Sequence, residues 1–194
     1  MTETTYSIRP ATPDDAQAIA QAILWGIGSE ITENFAGSPE RVPLVKQMFA
    51  NLAAMEHTQY SYLNTLVAEA PDGSVAGVLV AYDGARLYDL RRAFATEAHK
   101  VLGLEVDFAA MGDETSDDEV YLDTLAVFPE HRHKGLARRL ILATIERYKH
   151  LGKPTGLLCD PPNTNAHRLY EAIGFRTINQ RPFAGVMMDH MVIN

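Results

Sequence analysis

A run of basic residues, HRHKGLARRL at 131–140, precedes a predicted helix and has the residue types that bind anions. A helix start presents main-chain N–H groups without helical partners, and the helix dipole favours negative charge there. Gly135 lets a ligand approach the main chain closely, and Ala137 keeps the first turn narrow. Arg132 and Lys134 can add charge-assisted hydrogen bonds to a phosphate. The pattern favours a phosphate site over a solvated basic helix start, in which unpaired cations would oppose the dipole.

The elements that must hold this run in place follow from hydrophobic spacing and turn residues. The segment 119–128 predicts a strand that Pro129 ends, and apolar residues at helical spacing predict a helix between Gly135 and Gly152. A first helix begins at Pro13 and loosens over 25–35, where two glycines fall close together. Further strands are predicted at 4–11, 65–70, 74–82, 155–160, 175–181 and 185–193, and further helices from 38, over 85–102 and over 163–173. Strand–helix–strand units mixed with hairpins predict an α/β domain with a mixed sheet.

Composition limits the classes of function. The chain has 194 residues, 46% of them hydrophobic and 22% charged, which predicts one globular domain over 1–194. The net charge of −8 argues against a nucleic-acid binder and mildly suits an amine substrate, although acidity that serves solubility explains it equally well. One cysteine, no long apolar run and no signal-like start favour a cytoplasmic protein with neither a disulfide framework nor a membrane span.

Three blocks of sequence together resemble a known family. RHKGLA at 132–137 resembles the R/Q-x-x-G-x-G/A signature of the GNAT superfamily of acyl-CoA-dependent N-acetyltransferases, and LDTLAVFPEH before it is similar to that family's fourth strand. NTNAHRLYEAIGF at 163–175 resembles the family's N-x-x-A-x-x-L-Y-x-x-x-G-F helix. SIRPATPDDAQAI at 7–19 is similar to a GNAT first strand and helix. The resemblance covers 119–192 well and 4–82 loosely.

The resemblance implies a three-layer α+β fold. A mixed, mostly antiparallel sheet would be flanked by helices and splayed between its fourth and fifth strands, with a helical and acidic insertion at about 84–118. Acetyl-CoA would be the acyl donor, and no metal is implied. The pyrophosphate would lie on Arg132, His133, Lys134, Gly135, Leu136 and Ala137, and the pantetheine arm beside Leu125, Ala126 and Val127, with Asn163, Ala166 and Tyr170 completing the cofactor site.

The resemblance also implies catalytic roles. Tyr170 matches the tyrosine that protonates the departing thiolate, and its ordinary pKa near 10 keeps it protonated at neutral pH. Asp123 is a candidate base, because strand alternation places it on the face of Leu125, and Glu119 is another candidate. A core tyrosine and a structural aspartate are the alternatives.

Other conspicuous residues have simpler interpretations. Cys159, in an apolar strand, is expected to be a buried inert thiol, and the histidines lack metal-ligand spacing. Trp25, Glu30 and Glu33 lie in the segment that often forms the wall of the acceptor pocket in GNAT proteins. The insertion is expected to shape acceptor choice, to form a homodimer surface or merely to decorate the fold.

The sequence therefore predicts an N-acetyltransferase that uses acetyl-CoA on a primary amine of a small molecule or peptide, by direct attack in a ternary complex. The alternative is a non-catalytic acyl-CoA-binding regulatory module. Neither a nucleic acid nor a membrane is an expected partner.

Overall fold

The structure, a computed structural model, describes residues 5–194 and contains helices on both faces of a seven-stranded sheet. The strands are β1 (Ser7–Pro10), β2 (Thr65–Glu69), β3 (Val75–Asp83), β4 (Val120–Val127), β5 (Thr155–Cys159), β6 (Arg176–Phe183) and β7 (Val186–Ile193). The helices are α1 (Ala16–Ala36), α2 (Val42–Ala54), α3 (Leu87–Leu102), α4 (Phe108–Met111), α5 (Leu136–Tyr148) and α6 (Thr164–Ile173). The predicted strand at 4–11 is shorter than expected, and residue 4 lies outside the described residues.

The sheet separates two hydrophobic cores. The strand order is β1-β2-β3-β4-β5-β7-β6, and every neighbouring pair is antiparallel except β4 and β5. One face packs against α1, α2 and α3 around Ile23, Phe49 and Phe94, and the other packs against α5 and α6 around Leu140 and Phe175. This mixed, mostly antiparallel sheet between helical layers confirms the predicted fold class.

The sheet opens between β4 and β5. These parallel strands pair at two positions, Val120 with Thr155 and Tyr121 with Gly156. Beyond them, β4 stays paired with β3 and β5 stays paired with β7 to the ends of the strands. The predicted splay is confirmed, and it leaves one edge of β4 without a neighbouring strand over its second half.

Helix α1 is interrupted within its second half. The main chain of α1 leaves the helical region at Gly28, where φ is 81° and ψ is 168°. That left-handed φ favours glycine, and the helix resumes beyond it with the Thr32 hydroxyl donating to the Gly28 carbonyl at 2.7 Å. The predicted loosening over 25–35 is therefore confined to a break at one residue.

The segment 84–118 folds over the open side of the sheet. It contains α3, α4 and an acidic loop, and the tip of the β6–β7 hairpin binds it, because the Ala184 N–H donates to the Met111 carbonyl at 2.8 Å. Ala184 and Gly185 form the two-residue turn, with φ of 50° and 83°. Within the described residues, none of the helices has the length and apolarity needed to cross a membrane.

Candidate active site

Two adjoining cavities open at the splay. The first, which we term the α5 cleft, has a volume of about 780 Å³ and lies between β4, β5 and the starts of α5 and α6. The second, which we term the α3 cavity, has a volume of about 710 Å³ and lies beneath α1, α3, α4 and the β6–β7 hairpin. Their shared lining consists of Gly26, Asp123, Thr124, Leu158, Asp160 and Met188. A molecule in one cavity can therefore meet a molecule in the other beside Asp123.

The start of α5 forms a concave array of main-chain amides. Gly135, at the N-cap, has a φ of 73°, and His133 also adopts a left-handed conformation with a φ of 61°. The first helical bond from this turn runs from the Arg139 N–H to the Gly135 carbonyl at 3.1 Å. The earlier amides of the turn have no carbonyl one turn back to bind, and left-handed residues among them curve the chain into an anion-binding concavity. The local structure therefore supports the phosphate site expected from the sequence.

The cations around this array are not placed as the sequence predicted. The Arg132 Nε donates to the Val127 carbonyl at 3.1 Å, which ties this exposed side chain to the end of β4 and to the cleft wall. The Lys134 Nζ instead donates to the Tyr6 hydroxyl at 2.7 Å, and Lys134 does not line the α5 cleft. The expected role of Lys134 at the phosphate stays a prediction, and it would require the Lys134 ammonium to leave Tyr6. Arg138, one turn into the basic run, lines the cleft in its place.

The free edge of β4 supplies main-chain groups to the cleft. The Phe128 N–H donates to the Ala76 carbonyl at 3.0 Å, and Ala126 is paired with Val78 of β3. Because alternate N–H groups of a strand point to opposite edges, those of Leu125 and Val127 face the splay and that of Ala126 faces β3. All three residues line the cleft as predicted, but two of them offer the free N–H groups.

The third predicted block lies on α6 and forms the opposite wall. Asn163 caps this helix, because its side-chain Oδ1 accepts the Ala166 N–H at 3.2 Å, and both residues line the cleft. Tyr170 lines the same wall, and burial raises the pKa of its hydroxyl above the usual range, with the neighbouring Cys159 adding to the rise. Tyr170 therefore holds its proton throughout the physiological pH range.

Asp123 occupies an irregularity of β4 that strand alternation could not reveal. The register with β3 passes from Val80 opposite Thr124 to Ala81 opposite Leu122, so Asp123 is the extra residue of a β-bulge. Leu125 packs toward α5, whereas Asp123 lines the α3 cavity on the other face. The expectation that Asp123 shares the face of Leu125 is therefore wrong, because the bulge breaks the alternation.

The carboxyl of Asp123 has a raised pKa. Burial raises the pKa of this carboxyl to about 7, the negative charge of Glu114 adds to the rise, and a hydrogen bond from the Thr124 hydroxyl opposes it. That bond, to the Asp123 Oδ1, measures 2.8 Å. A carboxyl with a pKa near neutrality is suited to exchange a proton with a bound ligand.

A comparison with protein families identifies the chain. The model of the Acetyltransferase (GNAT) family matches residues 62–175, which is more than half of the sequence. The chain belongs to the GNAT acetyltransferase family. The match spans the strands on both sides of the splay, the start of α5 and the whole of α6.

Solved structures agree with this assignment. An N-acetyltransferase from Staphylococcus aureus Mu50 superposes with a TM-score of 0.79 at 25% identity, covering 96% of this chain and 100% of that one. A structure described as an acetyltransferase gives a TM-score of 0.75 at 32% identity, with 96% and 97% covered. The aminoglycoside N-acetyltransferase AAC(6')-Iy in complex with CoA shares the fold, with a TM-score of 0.56, 17% identity and 93% of each chain covered. No curated protein sequence matches the chain significantly.

In this GNAT chain, Glu119 does not reach either cavity. Its carboxylate is buried, accepts a hydrogen bond from the Thr115 hydroxyl at 2.8 Å, and contacts His190 Nε2 at 2.8 Å and Arg181 at 3.3 Å. The alternative base considered from the sequence is therefore a structural carboxylate that joins β4 to β6 and β7. Its oxygens also lie against Gly156, at the last pair before the splay.

The residues expected at the acceptor pocket of the GNAT chain separate into three groups. Glu30 lines the α3 cavity, whereas Glu33 is exposed and lines neither cavity. Trp25 lines the α5 cleft and packs edge-on against Phe128, with ring centroids 5.0 Å apart. The α1 segment therefore contributes to both cavities.

Both cavities of the GNAT chain are also lined by residues to which the sequence analysis gave no site role. Arg91, Phe94, Phe108, Met111 and Glu114 of the 84–118 segment line the α3 cavity, so this insertion forms its wall. The α5 cleft also includes residues that the sequence analysis did not assign to the cofactor, namely Arg138, Cys159, Asn165, Leu169 and Met188. Burial raises the pKa of the Cys159 thiol to about 11, which disfavours the reactive thiolate.

Proposed function

We propose that this chain transfers an acetyl group from acetyl-CoA to a primary amine of a small molecule or peptide, by direct attack in a ternary complex. The observation that carries the proposal is the junction of the α5 cleft and the α3 cavity at Asp123, with Tyr170 on the facing wall of the cleft. Donor and acceptor would meet between a carboxyl whose pKa is about 7 and a hydroxyl that stays protonated.

The residues of the α5 cleft fit coenzyme A. The amides at the start of α5, with Arg132 and Arg138 beside them, suit a pyrophosphate. The free N–H groups of Leu125 and Val127 suit a pantetheine arm that pairs with β4 as an added strand. An aminoglycoside N-acetyltransferase of the same fold has been solved in complex with CoA, which supports coenzyme A as the ligand.

The chemistry requires two proton movements from this chain's own residues. When bound, acetyl-CoA supplies an acetyl thioester, whose C–S bond breaks as the acetyl carbon bonds to the amine nitrogen. Asp123 accepts the proton that the amine must lose, directly or through a water molecule, and Tyr170 gives a proton to the departing sulfur. A main-chain N–H at Leu125 or Val127 polarises the thioester carbonyl.

Replacing Tyr170 separates catalysis from binding. Tyr170→Phe removes the proton donor while keeping the ring against Phe175, so kcat should fall by about 100-fold or more while the Kd for acetyl-CoA changes little. Tyr62→Phe is the matched control, since the Tyr62 hydroxyl contacts Glu56 outside both cavities. Unchanged turnover in Tyr170→Phe would remove this residue as the acid. Saturable acetyl-CoA binding with no transfer to any amine in a broad panel would favour a non-catalytic binding module instead.

A further inference from the structure

Resting on the proposed function, we infer that the α3 cavity accepts a primary amine with an apolar, preferably aromatic, body and no carboxylate. The inference concerns the acceptor and is independent of how coenzyme A binds. It follows from three features of the cavity, namely the side chains that form its walls, the sign of its charges and its size.

The walls of the α3 cavity are rich in aromatic and aliphatic side chains. Tyr60, Phe94 and Phe108 form a continuous ring cluster, with centroid separations of 6.1 Å and 6.5 Å along the series. Ile31 and Met111 add aliphatic surface from α1 and α4. Aromatic rings pack edge-on or offset against one another, so a ring on the acceptor can extend this cluster. A fully hydroxylated amine would gain no such contact with the ring cluster.

The charges of the cavity select for a cation and against an anion. Asp123, Glu30, Glu114 and Asp160 line it, and Arg91 is the single cationic residue of its lining within residues 5–194. An alkylamine is protonated at neutral pH and is attracted to such a site. A carboxylate on the acceptor would instead face these acidic groups.

The charge of Arg91 is already balanced by the protein. Its buried guanidinium donates to the Asp113 Oδ1 at 2.6 Å and to the Gly112 carbonyl at 2.9 Å, and it forms an ion pair with buried Glu114. Glu114 also accepts hydrogen bonds from the Tyr82 hydroxyl at 2.9 Å and the Gln59 amide at 2.6 Å. The Arg91 Nε is buried without a hydrogen-bond partner among the described residues, but Asp113 and Glu114 already balance the guanidinium charge. A third carboxylate beside them would be repelled, so amino acids are expected to be poor acceptors.

One wall of the cavity is formed by two segments that bind each other. The hairpin tip at Ala184 bonds to Met111 of α4, and Phe183 and Val186 beside that tip line the cavity. A volume of about 710 Å³ accommodates a compact small molecule and its amine. A cavity of this size favours a small aromatic amine over an extended polycation.

The first experiment compares acceptors that share a primary amine and differ in the rest of the molecule. Initial rates with acetyl-CoA are measured for 2-phenylethylamine, phenylalanine, putrescine and an aminoglycoside. We expect kcat/KM for 2-phenylethylamine to exceed that for phenylalanine, which adds only a carboxylate, and that for putrescine, which lacks the ring, by about tenfold or more each. Faster acetylation of phenylalanine, putrescine or the aminoglycoside would overturn the inference while leaving the proposed transferase function intact.

A second experiment tests the walls directly. Phe108→Ser and Ile31→Ser, the latter at a residue that is 36% exposed, should each lower kcat/KM for 2-phenylethylamine by about tenfold while leaving acetyl-CoA affinity unchanged. Leu142→Ser, at a 43% exposed position of α5 outside both cavities, is the matched control and should have no effect. Equal losses for putrescine and 2-phenylethylamine would contradict the inference.

Calorimetric binding separates failure of this inference from failure of the proposed function. If 2-phenylethylamine binds, and Phe108→Ser weakens the binding, but no amine is acetylated, the acceptor class stands and the transferase function fails. If 2-phenylethylamine neither binds nor reacts while a polar amine does, the acceptor class fails.

Discussion

The hydroxyl of Thr124 donates a 2.8 Å hydrogen bond to Oδ1 of Asp123, its neighbour in the bulge of β4. This bond stabilises the ionised carboxyl, yet burial and the nearby Glu114 outweigh it and leave the Asp123 pKa at about 7. The same bulge places the carboxyl where the α5 cleft and the α3 cavity meet. The bulge thus sets the position of the proposed base, and burial with the charge of Glu114 sets its pKa.

The rate of acetyl transfer should follow the ionisation of Asp123. Below about pH 7 the carboxyl is protonated and cannot accept the amine proton, so kcat at saturating amine should rise through that region as the pH increases. Asp123→Asn should lower kcat by about 100-fold or more and abolish this rise of kcat with pH. Thr124→Val removes the opposing hydrogen bond and should shift the rise to higher pH. If kcat still rises near pH 7 in Asp123→Asn, the rise belongs to another group.

The same carboxyl should cost stability at high pH. Its pKa rises from about 4 in the unfolded chain to about 7 in the fold, so the folded state binds more protons between these values and the free energy of unfolding falls as pH rises through them. Asp123→Asn removes this cost and should stabilise the protein by roughly 1–3 kcal/mol at pH 8, with a gain that shrinks toward pH 4. Urea unfolding at several pH values measures the difference, and a gain that is independent of pH would contradict the buried-carboxylate account.

Coenzyme A binding should depend on Arg132 and Arg138 more than on Lys134. Replacing either arginine by Ala should weaken acetyl-CoA binding by about tenfold at low ionic strength and by less at high salt, because ions screen exposed charges. Lys134→Ala should have a smaller effect, since its ammonium is bound to Tyr6. Lys149→Ala, at the far end of α5, is the charge-matched control. A dominant effect of Lys134 in titration calorimetry would show that its side chain moves to the phosphate.

The contact between the insertion and the hairpin can be tested with a pair of glycines. Gly112 and Gly73 have nearly equal φ values of 83° and 84°, but a Cβ on Gly112 would lie 2.9 Å from the Pro182 carbonyl, whereas one on Gly73 would meet nothing within 4 Å. Both Ala variants carry the strain of a left-handed φ. Gly112→Ala alone should raise the KM for the amine several-fold, because it also pushes α4 away from the hairpin. Equal amine KM values for the two variants would exclude a role for this contact in the cavity.

Local patterns predicted the strands, the helices and the turn before α5, whereas the splay was implied by the resemblance to the GNAT family. Hydrophobic spacing and Gly135 define the start of α5 without reference to distant residues. The spacing NTNAHRLY likewise predicts that Asn163 and Tyr170 lie on one helix, where Asn163 is the cap. Arg138 belongs to the same basic run, and its position in the first turn of α5 could have predicted that it lines the α5 cleft.

Features that depend on distant contacts or on register could not be predicted in this way. Lys134 is held by Tyr6, which is 128 residues away in sequence, and the burial of Glu119 depends on the last two strands. The face of Asp123 depends on a bulge that is visible only in the pairing with β3. The residues that line the α3 cavity could not be predicted without knowing where the segment 84–118 folds.

The most direct test of direct acetyl transfer is a single-turnover experiment with acetyl-CoA and a panel of primary amines, read by mass spectrometry of both the amine and the intact protein. We predict one N-acetylated amine for each free thiol released, thiol release that requires the amine, and no acetylated protein during the reaction. Thiol release without an amine, or an acetylated protein that forms before the product, would contradict direct attack in a ternary complex.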